Sequence, residues 1–274
     1  MDRKAIARET LAIMDSGYYE VNGVYMDIRK QQEDSLKRSF LLTPEQGEQI
    51  LKTYENGRKV QDRRTVFETG NCSTVDAVIR LALEGKPAAV LNFASAKNPG
   101  GGFINGAMAQ EESLAASSCL YQTQLAHEEY YVKNRAVRSM MYTDHAIWSP
   151  DVVFFRDGRF RLVEKPVYAS VLTLPAVNMG QVLLKGEDAA EAEKVMRRRM
   201  GLSLAIFADQ GCEHLILGAY GCGVFRNDPE KIAVWWKEFL EGDFAGVFQT
   251  VVFAVLDRSS TGTCIRAFQR VFAG

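Results

Sequence analysis

The chain has 274 residues, a length for which one compact unit fits better than two. Hydrophobic residues make up 47% and charged residues 24%, which excludes a disordered or fibrous chain. With 33 Lys and Arg against 34 Asp and Glu the net charge is −1, so no global field recruits nucleic acid or an anionic membrane; a polyanionic partner must be held by a local site.

Taken in chain order, residues 2–15 place Ile6, Leu11, Ile13 and Met14 among charges, the pattern of an amphipathic helix ending near Gly17. A hairpin follows, with Asn22-Gly23 as its turn between two aromatic-rich runs. After a charged helical stretch, Thr43-Pro44-Glu45 opens another helix with Pro at its first position. From about residue 64 short apolar runs alternate with helical patterns. Strands are predicted over 65–68, 88–93, 146–149, 167–174, 214–218 and 249–256. Helices are predicted over 73–84, 111–124, a following stretch through Arg138, 187–210, 228–241 and 262–272. This alternation points to an α/β layered sheet. Residues 1–62 read as an accessory segment packed on a core of residues 63–274.

The longest uncharged run, from Pro166 to Leu184, holds two prolines, a glycine, an asparagine and a glutamine, a density unsuited to a membrane-spanning helix. The N-terminus lacks the apolar core of a signal peptide, so a cytoplasmic location is expected, or a nuclear one in a eukaryote. Five widely spaced cysteines without a CxxC pair read as reduced thiols, and His127, His145 and His214 are too scattered to suggest a metal centre. No metal and no cofactor is expected.

The stretch that carries chemistry runs from Leu91 to Tyr121. An apolar strand leads into Asn98-Pro99-Gly100-Gly101-Gly102, and seven residues later Gln110-Glu111-Glu112 opens a helix. Three successive glycines can take positive φ and expose their amides to a phosphate, or simply form a tight turn; neither a Walker loop nor a GxGxxG fingerprint is present. A second glycine loop, Gly218 to Phe225, follows another apolar strand. Loops leaving the carboxyl ends of adjacent strands converge on one crevice, so these two could clasp a diphosphate, with the helix after Asn227-Asp228-Pro229 adding its dipole if it faced the anion. Glu111 and Glu112 point about 100° apart on a helix, so at most one faces a reacting atom. On position alone, Glu in a first helical turn is also explained by the dipole.

These motifs together resemble the bacterial-type branch of the poly(ADP-ribose) glycohydrolases: the GGG run, a seven-residue gap, then QEE. NFASAKNPGGG, SPDVVFFRD from Ser149 to Asp157, GAYGCGVFRNDP from Gly218 to Pro229 and the opening RKAIARETL are similar too, so the likeness spans nearly the whole chain. The resemblance implies an α/β fold, a three-layer α/β/α macrodomain with a mixed central sheet and an N-terminal helical and hairpin extension. Glu112 would be the catalytic residue, and Glu111 would hold ribose hydroxyls beside the scissile bond. Asn98, Gly100, Gly101, Gly102, Gln110, Gly221, Cys222, Gly223, Val224 and Phe225 would bind substrate, with Phe225 shaping the ligand. Asn71 and Thr74 are candidates for the adenine side, although Asn71 or Ser73 as a helix cap is a simpler role.

The implied substrate is ADP-ribose in polymer, with ADP-ribosylated proteins as further partners. Cleavage of the ribose–ribose bond passes through an oxocarbenium-like state, with Glu112 acting first as acid and then as base, and with release from chain ends. The alternatives are an ADP-ribose-binding macrodomain without catalysis, for which an intact QEE is unnecessary, and a hydrolase that frees ADP-ribose from protein or nucleic-acid acceptors.

Overall fold

The computed structural model describes residues 2–55 and 63–273. The N-terminal part forms α1 (Arg3–Ser16), the hairpin β1 (Tyr18–Val21) and β2 (Val24–Asp27), α2 (Arg29–Arg38), β3 (Phe40–Leu42) and α3 (Pro44–Glu55). Asp2 caps α1 by accepting the Lys4 and Ala5 amides, and Gly17, at φ 72, ends it in the left-handed conformation that favours glycine. Asn22 and Gly23 both adopt positive φ, as a two-residue hairpin turn requires.

The remainder forms β4 (Val66–Gly70), α4 (Thr74–Leu83), β5 (Ala88–Phe93), α5 (Gln110–Ser117), α6 (Leu120–Ala126), α7 (Glu128–Ala136), β6 (Ala146–Arg156), β7 (Leu162–Leu174), α8 (Met179–Lys185), α9 (Ala189–Asp209), β8 (His214–Leu217), α10 (Pro229–Glu241), β9 (Thr250–Ala254) and α11 (Thr263–Phe272). Seven strands make one sheet in the order β3-β6-β7-β5-β8-β9-β4. The pairs from β7 through β4 are parallel, whereas β3-β6 and β6-β7 are antiparallel, so the sheet is mixed.

Side chains alternate across the central strands. Leu91, Leu215, Leu217, Val251 and Phe253 join the core shared with α9, α10 and α11. Val90, Ile216 and Val252 face the opposite core, shared with α4 and with Leu114 of α5. Near-continuous apolar strands buried on both faces are what a parallel sheet between two helical layers demands. The three-layer architecture is the expected one.

Three expectations need correction. The helix predicted over 111–124 is two helices, because Ser118 is extended (φ −150, ψ 176), bridges to Phe154, and is followed by Cys119, whose amide donates to the Val153 carbonyl at 2.9 Å. Tertiary pairing with β6 overrides a helical pattern that contains no Gly or Pro. Strands β6 and β7 run well beyond the predicted segments, since a bulge at Pro150-Asp151, with Asp151 at φ 47, lets pairing resume past the proline. Strand β3 and helix α8 were not foreseen. The boundary set at residue 62 lies outside the described residues; the segment before it supplies β3, which pairs with β6 in the main sheet.

Candidate active site

Strands β5 and β8 are parallel neighbours in register, Ala88 with His214 and Val90 with Ile216, so the two glycine loops leave the same edge of the sheet side by side. Phe93, at the end of β5, lies 5.4 Å ring to ring from Tyr220 of the second loop. The two loops therefore start side by side, as expected for neighbouring parallel strands.

The first loop is built around the carboxylates. Gly100 and Gly101 have φ of 63° and 58°, and a Cβ on Gly101 would lie 2.4 Å from Glu112 Oε1 and 3.1 Å from Glu111 Oε2. Only glycine lets the main chain approach both groups so closely. The amides of the run are already paired: Gly100 donates to Gln124 Oε1 at 2.9 Å, Gly101 to the Asn98 carbonyl at 3.0 Å and Gly102 to Glu112 Oε1 at 3.0 Å. The run thus spends its N–H groups within the protein and lies against the two carboxylates. Asn98, just before the run, is exposed.

The two glutamates occupy different surroundings. Glu112, part-exposed, accepts Gly102 N–H on Oε1 and, on Oε2, the amide of Ala109 at 2.9 Å. The second contact is half of a capping box, so the simple explanation for a glutamate at this position holds as well. Glu111 is 3% exposed. Its Oε1 accepts from Gln124 Nε2 at 2.8 Å and Asn92 Nδ2 at 3.2 Å, and its Oε2 accepts the Ser95 amide at 2.7 Å. Burial raises its pKa to about 8 even though all three donors pull downward, and the Glu112 charge adds to the rise.

Gln110 uses its side chain to join α5 to β5, accepting the Phe93 amide at 2.9 Å and donating to the Leu91 carbonyl at 2.8 Å and to Thr74 at 3.3 Å. Ser73, accepting the Asp76 amide, caps α4. Asn71 exchanges two hydrogen bonds with the Asp257 main chain and ties the end of β4 to the loop after β9.

The second loop is open where the first is closed. Among the described residues the amides of Gly221, Gly223, Val224 and Phe225 have no acceptor, whereas Cys222 N–H is held by the Ala219 carbonyl at 3.1 Å. Gly221 takes φ 73, and a Cβ there would meet Asn227 Nδ2 at 2.5 Å. Asn227 fixes the loop through the carbonyls of Val177 and Gly221. The Phe225 ring lies 6.1 Å from that of Tyr142. The start of α10 is occupied by its own cap, since Asp228 accepts the Glu230 amide, which works against an anion there.

Sequence reasoning missed Asn92, Ser95 and Gln124. A signal existed for the first: Asn92 and Thr173 are polar interruptions of apolar strand runs, they sit directly opposite each other across β5 and β7, and Asn92 Nδ2 donates to Thr173 Oγ1 at 3.1 Å. Nothing in the local sequence marks Gln124. Among the described residues no three His, Cys, Asp or Glu side chains gather as metal ligands, and no helix is long and apolar enough to cross a membrane.

Fold and site together define a macrodomain-like glycoside hydrolase. Residues 7–157 match the family described as microbial-type PARG, catalytic domain. The poly(ADP-ribose) glycohydrolase of Thermomonospora curvata is 38% identical, with a TM-score of 0.94 over 98% of this chain and 99% of that one. A structure of the same enzyme bound to the inhibitor ADP-HPD has a TM-score of 0.91 at 38% identity, with the same coverage. The enzyme of Deinococcus radiodurans in complex with ADP-ribose is 39% identical, with a TM-score of 0.83 over 92% of this chain and 98% of that one. A comparison with curated proteins found no match. The chain belongs to the microbial-type poly(ADP-ribose) glycohydrolases.

Proposed function

We propose that this protein hydrolyses the ribose–ribose bond of poly(ADP-ribose), releasing ADP-ribose from chain ends, with Glu112 as the catalytic residue. The observation that carries this reading is the approach of both carboxylates to Gly101, beside a second loop with four unpaired amides. The amides of Gly221, Gly223, Val224 and Phe225 hold the diphosphate of the terminal unit, and Phe225 with exposed Asn98 confines its ribose. These donors are fixed before the ligand arrives, so binding costs little reorganisation.

Glu112 then passes a proton to the departing ribose oxygen as the C–O bond breaks. The resulting carboxylate takes a proton from the water that attacks the anomeric carbon, returning the group to its starting form. The Gly102 and Ala109 amides orient this carboxylate throughout. Glu111 carries its own proton over much of the neutral range and therefore can donate to, as well as accept from, a ribose hydroxyl next to the scissile bond.

The chain-end mode is carried over from the family resemblance, and the accessory segment stands near the site. Helix α1 lies against the loop after the glycine run, where a Cβ on Gly106 would be 3.4 Å from Arg3 and Lys4, and Thr10 donates to the Ala116 carbonyl at 2.7 Å. This packs α1 on the segment between the glycine run and α5.

The test is incubation with poly(ADP-ribose) beside a mono-ADP-ribosylated protein, comparing wild type with Glu112→Gln. Wild type is expected to release ADP-ribose from polymer. The variant is expected to bind ADP-ribose within a few-fold of wild type and to lose at least about a thousandfold in kcat. Wild-type turnover by Glu112→Gln would remove the assignment, and products made mainly of internal fragments would remove the chain-end mode.

A further inference from the structure

Beside the second loop, a groove of about 610 Å³ opens against α8, lined by Asn178, Gln181, Leu183, Leu184, Val224 and Arg226. None of these residues contacts the carboxylate pair in the hydrogen-bonded network described above, and three of them are strongly exposed apolar side chains: Leu183 at 62%, Leu184 at 76% and Val224 at 82%.

Arg226 is the unusual member. Its φ is 59°, a conformation that disfavours any side chain with a Cβ. Its aliphatic stem runs over Gly180, where a Cβ would lie 3.0 Å from Arg226 Cδ. The guanidinium is exposed and has no carboxylate partner among the described residues. A strained backbone holding an unpaired cation in the lining of an apolar groove is the kind of outlier that points to a ligand.

We propose that this groove is a subsite for the neighbouring ADP-ribose unit of the polymer, with Arg226 pairing to its diphosphate and the apolar wall taking its adenine. The inference rests on the function proposed above. The occupant follows from chemistry. The lining combines a planar cation suited to bidentate phosphate recognition with exposed leucine and valine side chains suited to a purine. The volume matches one nucleotide-sized ligand. The groove shares Val224 with the loop whose amides hold the first diphosphate, so two successive diphosphates of one chain would meet successive segments of one loop.

The experiment measures the binding of monomeric ADP-ribose and of purified oligomers of two and three units, in the Glu112→Gln background so that the oligomers stay intact. Arg226→Gly relieves the backbone and removes the cation together. It is expected to weaken oligomer binding about tenfold, to leave monomer binding within twofold, and to leave Tm equal or higher. Arg226→Glu is expected to weaken oligomer binding about a hundredfold.

Equal losses for monomer and oligomer would place Arg226 in the terminal-unit site and overturn the proposal, as would no loss for either. A dimer in sedimentation that dissociates on Leu184→Asp would assign the groove to a second copy of the chain and also overturn it. Failure of the wild type to hydrolyse polymer would instead refute the proposed function, while the oligomer-to-monomer affinity ratio would still report on the groove.

Discussion

The two glycine loops look alike in sequence and leave adjacent strands, yet they do opposite work. In the first, every amide of Gly100, Gly101 and Gly102 is already bonded within the protein, and the conformational freedom of glycine serves to bring main chain against two carboxylates. In the second, four amides have no acceptor among the described residues, and the loop is held instead by Asn227, by Cys222 N–H and through its own carbonyls, which accept from Gly180 and Arg226 N–H. Glycine content alone does not tell a scaffold from a cradle. What separates them is where the N–H groups go, because a main-chain donor that is already satisfied has little left for a ligand.

The sharpest way to break this contrast is Gly101→Ala. A Cβ at that position would meet Glu112 Oε1 at 2.4 Å, and the backbone already sits at φ 58. We expect kcat to fall by at least about a hundredfold, since a displacement of about 1 Å at a catalytic group costs that much, while ADP-ribose affinity stays within a few-fold. Hydrolysis rates set beside calorimetric titration check it; equal damage to binding would make the first loop a cradle after all.

Next in size is Gln124→Leu. The change strands the buried Gly100 amide and removes one donor from Glu111, a loss of about 2–4 kcal/mol for two buried contacts. Chemical denaturation should show it as a lower midpoint with an unchanged slope.

A smaller effect, with a definite sign, is expected from Glu111→Gln. Because burial raises the folded-state pKa of Glu111 from its ordinary 4.5 to about 8, the stability contributed by this group is present in full below about pH 4.5 and is lost as pH rises toward and through about 8. The glutamine variant lacks that loss. Its Tm relative to wild type should therefore climb across this window, by a few degrees for each ~1 kcal/mol recovered, and a flat difference across the window would refute the assignment.

The smallest effect belongs to Gly223→Ala in the second loop, where an added Cβ meets nothing within 4 Å. Stability should change by less than ~0.5 kcal/mol, while KM for polymer rises several-fold as the methyl group crowds the approaching diphosphate. Taken with Gly101→Ala, this pair of identical substitutions separates the two loops by which kinetic constant moves.

Much of the fold was legible because buried parallel strands and amphipathic helices announce themselves by period. The exceptions share a physical cause. Ser118 leaves the helical path to bridge β6, and β3 is only three residues long and ordered by its partner, so both are set by contacts distant in sequence. At the site, the glycines and the QEE run were visible, but the different surroundings of Glu111 and Glu112 were not. Burial of the first and main-chain pairing of the second depend on Asn92, Ser95 and Gln124, which converge only in three dimensions. Gln110 shows the reverse. It stands in the most recognisable motif of the chain, and its side chain joins α5 to β5.

Strand β4, at the far edge of the sheet, hydrogen-bonds to β9 alone, pairing Val66 with Thr250 and Gly70 with Ala254. About 180 residues therefore separate the two strands of this edge, and so long-range a closure must overcome its entropy before any contact rewards it. Acquisition of the native state should be slow and should wait for β9 to be made, with damage to β9 felt at β4, far away in the chain.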